Sequence, residues 1–303
     1  MAGFEKAPNQ RRYGLWRAAA AAPAMLGGLA VVVLLAGALG RWAPVASVGW
    51  LAAAALWLTT AGERVAVRVA YGYRRPSAEQ LAVLQAPLSV AQARAGLGGA
   101  DVDLYVRRGI ERSNAYAAGR RSIALSEGLL ARLQRGQVTV SQVGALLAHE
   151  VGHLQTRSTR YGLAVGWLSA PWRAVVALIG GMLRLIVGKV PTARAGLVVL
   201  GPIVLVVAAV QGVQQHAWVP LSAMLLVGVL LIVQPLVDAA LSRAGERAAD
   251  AYAVACGLGP DLAEALRSFD TSARDGGNAW ASHPPRDRRI QELSAAAGVS
   301  GAC

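Results

Sequence analysis

The sequence predicts a mainly α-helical, polytopic membrane protein with a small β-sheet. Hydrophobic residues make up 55% of the 303 residues, and the mean hydropathy is +0.42, so the chain is more apolar than soluble domains are. Two stretches, 18–62 and 195–237, are almost free of charged residues. Between them lie short segments in which polar and apolar residues alternate, a pattern typical of strands.

The N-terminal part predicts a short cytoplasmic segment followed by a transmembrane hairpin. Residues 1–17 are polar and rich in basic side chains, whereas 18–40 and 43–62 are uncharged and each long enough to span a bilayer. A cleaved signal peptide is the alternative, but the first uncharged stretch is too long and a second follows directly. Arginines flank the hairpin on both outer sides and are scarce at its turn, near Arg41. The positive-inside rule therefore places both flanks in the cytoplasm.

Residues 63–161 predict a soluble part made of helices and short strands. Asp101–Val106 alternates with period two, and two further short strands are predicted over 114–120 and 122–125, joined by a glycine-assisted turn. Helices are predicted around these strands, over 77–85 with Ser77 as a possible cap and over 126–133.

One short motif within this soluble part carries the chemistry. His149, Glu150 and His153 have the spacing H-E-x-x-H. On a helix the two imidazoles lie on one face and can reach one metal ion, and the carboxylate beside them can deprotonate a bound water. Thr139 and Gln142 have the spacing of a capping box and predict where this helix begins. The motif therefore predicts that the soluble part is a zincin-like metallopeptidase domain.

A second hairpin is predicted downstream of this helix. Residues 195–237 lack any formal charge, and a polar break near His216 divides them into two spans. Residues 162–194 are apolar but contain arginines and tryptophans, which suits an interfacial or re-entrant helix. An even number of crossings then returns residues 238–303 to the side of the membrane that holds His149.

Immediately after this hairpin, a helical pattern contains Glu246 and Asp250. A zinc hydrolase needs three protein ligands and an open position, so we expect Glu246 to be the third ligand. Asp250 lies one turn later on the same face, where it can accept the free N–H of a ligand histidine. The alternative is a solvated helix face, because charged residues at this spacing are common on helix surfaces.

Four sequence motifs in a shared order resemble the HtpX family of integral-membrane zinc metallopeptidases, which is related to the CAAX prenyl endopeptidases. They are His149-Glu-Val-Gly-His153, Ser242-Arg243 with Glu246 and Ala249-Asp250, Ser113-Asn-Ala-Tyr-Ala-Ala-Gly119, and His283-Pro-Pro-Arg-Asp-Arg-Arg-Ile290. The resemblance covers essentially the whole chain.

For the metal centre, the resemblance implies one Zn²⁺ per chain. His149, His153 and Glu246 would hold it, with Glu150 as the general base. It further implies cleavage of membrane or misfolded proteins, at the cytoplasmic face of a bacterial-type cell membrane that the chain crosses several times.

For the substrate, the resemblance implies that Asn114, Ala115 and Tyr116 line the cleft. His283 and Arg289 would lie near the site, and His283 would help to bind the carbonyl oxyanion. The residue pattern alone leaves two roles for these strands open: they accept a peptide as an extra strand, or they simply complete a small sheet.

Two other functions remain open on sequence grounds. One is a regulatory membrane protease that cleaves a single partner, and the other is a non-catalytic membrane scaffold with a structural zinc. Glu150 argues against the scaffold, because a structural site needs no base.

We expect a protein or peptide substrate and the lipid bilayer as partners. The net charge of +13 does not predict nucleic-acid binding, because many of the arginines lie at the ends of apolar stretches and form no single basic block. Two cysteines are too few for a disulfide framework and fit a reducing compartment. The sequence does not specify the oligomeric state.

Overall fold

The structure, a computed structural model, describes residues 13–96, 102–187, 206–269 and 285–300. It is mainly helical with one small mixed sheet, as the sequence predicts. The chain divides into two compact units, described separately below. The first takes the described parts of Met1–Ala20, Val48–Gly166 and Asp238–Cys303, and the second takes those of Ala21–Ser47 and Trp167–Val237.

The helices before the sheet are α1 (Tyr13–Ala20), α2 (Ala22–Ala36), a 3₁₀ helix (Gly37–Trp42), α3 (Ala43–Leu56), α4 (Thr60–Tyr71) and α5 (Ala78–Ala95). After the strands come α6 (Glu127–Gln134), α7 (Val140–Gln155), α8 (Gly162–Val187), the described part of α9 (206–214), α10 (Trp218–Ala255), α11 (Gly259–Ser268) and α12 (Arg286–Ser300).

Four strands form the sheet, in the order β1-β2-β4-β3. They are β1 (Tyr73–Arg74), β2 (Asp103–Arg107), β3 (Ala115–Ala118) and β4 (Ser122–Ser126). The strand β2 pairs in parallel with β4, while β1 pairs antiparallel with β2 and β3 antiparallel with β4. Gly119 follows β3 with φ +62°, a conformation that glycine adopts without steric cost. The predicted pair of strands with a glycine-assisted turn is confirmed.

Helix starts agree with the sequence, while one helix end does not. Ser77 caps α5 through a capping box with Gln80, and Ser126 caps α6. The predicted end of the first of these helices at residue 85 is wrong, because α5 continues to Ala95 through Pro87. Pro87 is buried, so the packing of its surroundings compensates for the missing backbone hydrogen bond.

The first apolar stretch is broken at two places. Gly40 has a non-helical conformation, φ 55° and ψ −123°, close to the turn predicted near Arg41. The second predicted span was expected to extend to residue 62, but α3 ends at Leu56. Thr59 then caps a new helix by accepting a hydrogen bond from the Gly62 backbone N–H, and this polar cap is the physical reason for the earlier end.

Two described stretches are long and apolar enough to cross a membrane, Ala22–Leu56 and Gly162–Met182. By length and composition alone they suggest membrane association weakly. The first arm of the second predicted hairpin falls partly on residues 188–205, outside the described residues. Its turn lies at residues 215–217, between the helices α9 and α10.

The hydrophobic core of the first unit surrounds α7. Helix α7 packs against α5, α11, β3 and β4, and its residues from Val143 to Gly152 are all buried. Adding a Cβ to Gly144 would bring it within 2.7 Å of a Val90 methyl group, so the close packing of α5 on α7 depends on this glycine. The helix that bears the H-E-x-x-H motif is therefore the central element of its unit.

Candidate metal centre

Helix α7 presents its polar residues from a firmly defined start. Thr139 accepts a hydrogen bond from the Gln142 backbone N–H, and the Gln142 side chain accepts one from the Thr139 N–H, so the predicted capping box is confirmed. Three turns further along, His149 and Glu150 are buried, with 5% and 6% of their surface exposed. Burying these polar side chains is costly unless they are paired or bind a metal.

A close approach of two helices brings the third acidic residue to this site. A Cβ added to Gly152 would lie 2.9 Å from the Cα atom of Ala249 on α10. Only glycine fits at this distance, and Ala249 itself is fully buried. The contact fixes α10 against α7, so that Glu246, one turn before Ala249, faces the two histidines.

Three ligand atoms converge where the helices meet. The Nε2 atom of His149 lies 3.6 Å from a carboxylate oxygen of Glu246, and Nε2 of His153 lies 3.4 Å from the other oxygen. All three ligand atoms lie within 4.8 Å of one another. Tetrahedral zinc with bonds of about 2.0–2.1 Å separates its ligand atoms by roughly 3.3 Å. The donor set and its spacing therefore fit a zinc ion, and these residues could hold a metal.

The His149 side of the site is held by charged groups. Oδ1 of Asp250 lies 2.9 Å from Nδ1 of His149, the atom that does not face Glu246. Arg289 on α12 donates two hydrogen bonds to Asp250, of 2.8 and 2.7 Å, and its Nη1 lies 3.2 Å from Glu246. One guanidinium thus contacts both Glu246, the candidate third ligand, and Asp250, the neighbour of His149.

These contacts shift the proton affinity of His149 in the metal-free protein. Burial lowers its pKa, but the close carboxylates of Asp250 and Glu246, 2.9 Å from Nδ1 and 3.6 Å from Nε2, outweigh this effect and raise the pKa to about 10. Burial alone would raise the pKa of Asp250, but the nearby His149 ring and the two hydrogen bonds from Arg289 reverse this, so that its pKa lies below the usual value. Asp250 is therefore a carboxylate at neutral pH.

The His153 side is held by a neutral group. Nδ1 of His153 lies 3.1 Å from the Ser158 hydroxyl, which also donates to the His153 carbonyl oxygen at 3.1 Å. Arg17 on α1 donates to the Ser158 carbonyl oxygen at 3.3 Å. The N-terminal helix therefore contacts the turn that orients the second histidine.

The predicted substrate residues lie on the edge strand β3. Asn114 precedes this strand, Ala115 and Tyr116 lie in it, and β3 packs against α7. The Asn114 carbonyl accepts a hydrogen bond from the Ser126 N–H. Alternate residues therefore face β4, and the backbone groups of Ala115 and Ala117 face the outer edge. The Asn114 side chain accepts a hydrogen bond from the Ala115 backbone N–H at 3.0 Å.

Not every predicted site residue is brought into the cluster. His283 lies outside the described residues. Arg289 is there, with only 11% of its side chain exposed, and it contacts the site carboxylates. The substrate roles assigned to His283, Arg289 and the β3 residues stay predictions.

Ser158 is the site residue that sequence reasoning missed. It follows His153 by five residues, beyond the helix end at Gln155, and no motif contains it. The only available hint was general: ligand histidines usually donate their second ring N–H to an oxygen. A hydroxyl side chain on the turn just after α7 is such an oxygen, and this rule could have pointed to Ser158.

The comparisons with known proteins agree with this geometry. The sequence model of Peptidase family M48 matches residues 78–297, which is most of the chain. The match includes the three candidate ligands, Glu150, Asp250, Ser158 and Arg289, whereas Arg17 lies before it. No curated protein matches the chain closely enough to count as a relative. Members of this family are metallopeptidases, so the protein is indicated to be a metal-dependent hydrolase. The chain belongs to Peptidase family M48.

Proposed function

We propose that this protein is a membrane-bound zinc metalloendopeptidase of the HtpX-like type, which hydrolyses peptide bonds of membrane or misfolded proteins at the cytoplasmic face. The observation that carries the proposal is the convergence of His149, His153 and Glu246 within 4.8 Å, with Glu150 between the two histidines on α7. Two histidines and a glutamate are typical of catalytic zinc sites that keep a fourth position open for water or substrate.

The chemistry divides between the metal and the chain. Zn²⁺, when bound, supplies Lewis-acid activation of a water molecule and of the scissile carbonyl. The Glu150 carboxylate takes the proton from the attacking water and delivers it to the leaving amine. Asp250 and Arg289 hold His149 and Glu246 in place, so that the ligands do not reorganise during turnover.

The substrate is proposed to bind along β3. This edge strand has backbone groups directed away from β4, and an extended peptide can add to such an edge through main-chain hydrogen bonds. Because β3 packs on α7, a peptide on its outer edge would pass close to the zinc helix. The position of β3 beside α7 therefore supports the interpretation that β3 accepts a peptide as an extra strand, rather than only completing the sheet.

A membrane position is proposed for α8 as well as for the first apolar stretch. In the second unit, Gly27 and Gly28 on α2 pack closely on Leu168 and Trp172 of α8, and neither glycine leaves room for a side chain. Such small-residue contacts are typical of neighbouring helices in a bilayer. They favour a spanning α8 over the interfacial helix expected from its arginines. If α8 crosses outward and the first half of α10 returns, the second predicted hairpin contributes one crossing rather than two, and Glu246 still reaches the side of His149.

Cysteine labelling tests this topology. A Leu185→Cys variant, near the end of α8, should react with a membrane-impermeant maleimide from outside intact cells if α8 spans. An Arg160→Cys variant, in the first unit, should react only after the cells are opened. Equal protection of both positions in intact cells would favour the interfacial arrangement.

The activity is tested by comparing wild type with Glu150→Gln in detergent. Cleavage of casein or of the chain itself should be lost in Glu150→Gln, while the zinc content stays at one ion per chain. Glu264→Gln, which changes an exposed glutamate on α11 (61% exposed), is the matched control and should cleave like the wild type.

Two outcomes would overturn parts of the proposal. Zinc present without cleavage of any protein, in wild type and variant alike, would favour a narrow regulatory protease or a scaffold. Absence of zinc from the purified wild type, after supplementation with zinc, would contradict the metal centre itself.

A further inference from the structure

Glu63 is a buried acidic residue that lies outside the metal centre. It belongs to the first turn of α4, shortly after the end of the first apolar stretch, and only 1% of its surface is exposed. A buried carboxylate is costly unless its oxygens are hydrogen-bonded, so its partners indicate what it does.

Among the described residues, two donors to Glu63 lie in the β3–β4 turn and a third is Ser122, the first residue of β4. The backbone N–H groups of Arg120 and Arg121 donate to its two oxygens at 2.8 and 3.0 Å, and the Ser122 hydroxyl donates at 2.7 Å. A Cβ on Gly119 would collide with this carboxylate. The turn thus packs around the Glu63 carboxylate, and no residue larger than glycine fits at position 119.

A second contact holds the same turn from the other side. The Thr159 hydroxyl donates to the Gly119 carbonyl oxygen at 2.8 Å. Thr159 is the residue after Ser158, which contacts the metal-ligand candidate His153. The turn that ends β3 is therefore fixed both to the helix after the apolar stretch and to the segment after the zinc helix.

We propose that Glu63 is a positioning residue for substrate: by holding the β3–β4 turn, its carboxylate fixes the edge strand to which the peptide adds. This inference rests on the proposed function, since it requires that substrate bind along β3. The register of β3 is set by the pairs from Ala115–Leu125 to Ala118–Ser122, and a slip by one residue would turn every β3 side chain to the opposite face of the sheet.

Glu63 lies in a part of the chain that the family match does not include. The match begins at residue 78, whereas Glu63 lies fifteen residues earlier, on the helix that follows the apolar stretch. Helix α4 then does more than follow a membrane anchor, because its Glu63 holds the turn that ends the substrate edge.

Steady-state kinetics on the full-length protein in detergent test the proposal. In Glu63→Gln the amide nitrogen replaces one acceptor oxygen and faces a backbone N–H, so one hydrogen bond to the turn is lost. We expect the KM for a peptide substrate to rise about three- to tenfold, with kcat and zinc content within about twofold of wild type. Thr159→Val, which removes the second contact, should raise KM in the same direction.

Peptide affinity without turnover provides the second readout. Fluorescence anisotropy of a labelled peptide is measured in the inactive Glu150→Gln background, with and without Glu63→Gln, and the affinity should fall by the same factor as KM rises. The matched control is Glu264→Gln. Glu264 is an exposed glutamate on α11, so its replacement should change neither KM nor peptide affinity.

The outcomes separate this proposal from the one it rests on. A wild type that neither binds nor cleaves peptides, although zinc is present, would refute the proposed function, and the Glu63 role with it. A wild type that cleaves, with KM unchanged in Glu63→Gln, would overturn the Glu63 role alone. A parallel loss of kcat and zinc in Glu63→Gln would also overturn it, because Glu63 would then support the fold rather than the substrate. If Glu63→Gln does not fold, an unchanged KM in Thr159→Val would count against the proposal.

Discussion

The two histidines of the candidate metal centre are held in different ways. His149 is buried, and its second ring nitrogen faces Asp250, which Arg289 holds by two hydrogen bonds. His153 is less buried, with 13% of its side chain exposed, and its second ring nitrogen faces the Ser158 hydroxyl only five residues away. One histidine thus lies beside charged residues that are about 100 to 140 residues away in the chain, and the other beside a neutral neighbour.

This difference indicates how the site is assembled. Hydrogen bonds that involve an ionised group are about twice as strong as those between neutral groups. The charged side therefore requires α7, α10 and α12 to be packed together, while the neutral side forms within one turn. We therefore expect the affinity for the metal to depend mainly on the charged side, that of His149, Asp250 and Arg289.

The largest effect is expected from Asp250→Asn. The amide can still accept the His149 N–H, but the charge that holds His149 and matches Arg289 is gone. We expect the zinc affinity to fall about 10- to 100-fold, measured by competition with a chelator of known affinity. Asp287→Asn, at an exposed aspartate on α12, is the control and should bind zinc like the wild type. An affinity within twofold of wild type in Asp250→Asn would show that the charged side carries no special weight.

A second effect, visible as pH dependence, follows from the raised pKa of His149. Because this pKa is about 10 in the metal-free protein, His149 is protonated at pH 8, and a metal must displace that proton. We expect about one proton released from His149 for each zinc bound at pH 8. The apparent zinc affinity should fall about tenfold for each pH unit below 10 from this group alone.

Calorimetry in buffers of different ionisation enthalpy measures this release. The Asp250→Asn variant should release less than the wild type at pH 8, because one of the groups that raise the His149 pKa is weakened. Equal proton release by the two proteins would mean that the proton comes from elsewhere.

The residues that the sequence predicted for the site belong to regular patterns. H-E-x-x-H needs only the 3.6-residue period of a helix, and Thr139 with Gln142 defines where that helix begins. Glu246 and Asp250 were found by the same period together with the number of ligands that zinc requires. Three of the four described strands were predicted, from alternation and from Gly119, whose φ is positive, while the two-residue strand β1 was not.

The residues that were missed or misjudged depend on packing between distant segments. No local pattern shows that Gly152 must accommodate Ala249, or that Glu63 will meet a turn almost 60 residues later. Helix ends were also harder than starts. The helix α5 runs through Pro87 because of packing, and α3 ends early because Thr59 caps its successor. These contacts and helix ends depend on residues that meet only in the folded chain, so no local sequence pattern predicts them.

The smallest effect is expected from Ser158→Ala, which tests the neutral side of the comparison. The variant removes the hydroxyl that faces Nδ1 of His153 but leaves the backbone carbonyl that accepts from Arg17. A neutral hydrogen bond contributes about 0.5–1.5 kcal/mol, so the zinc affinity should fall only about two- to tenfold, by the same chelator competition. Ser89→Ala, which removes a hydroxyl bonded to a backbone carbonyl on α5, is the control. If Ser158→Ala weakens zinc binding as much as Asp250→Asn, the two sides are equivalent, and the charge of Asp250 and Arg289 must serve a purpose other than holding the metal.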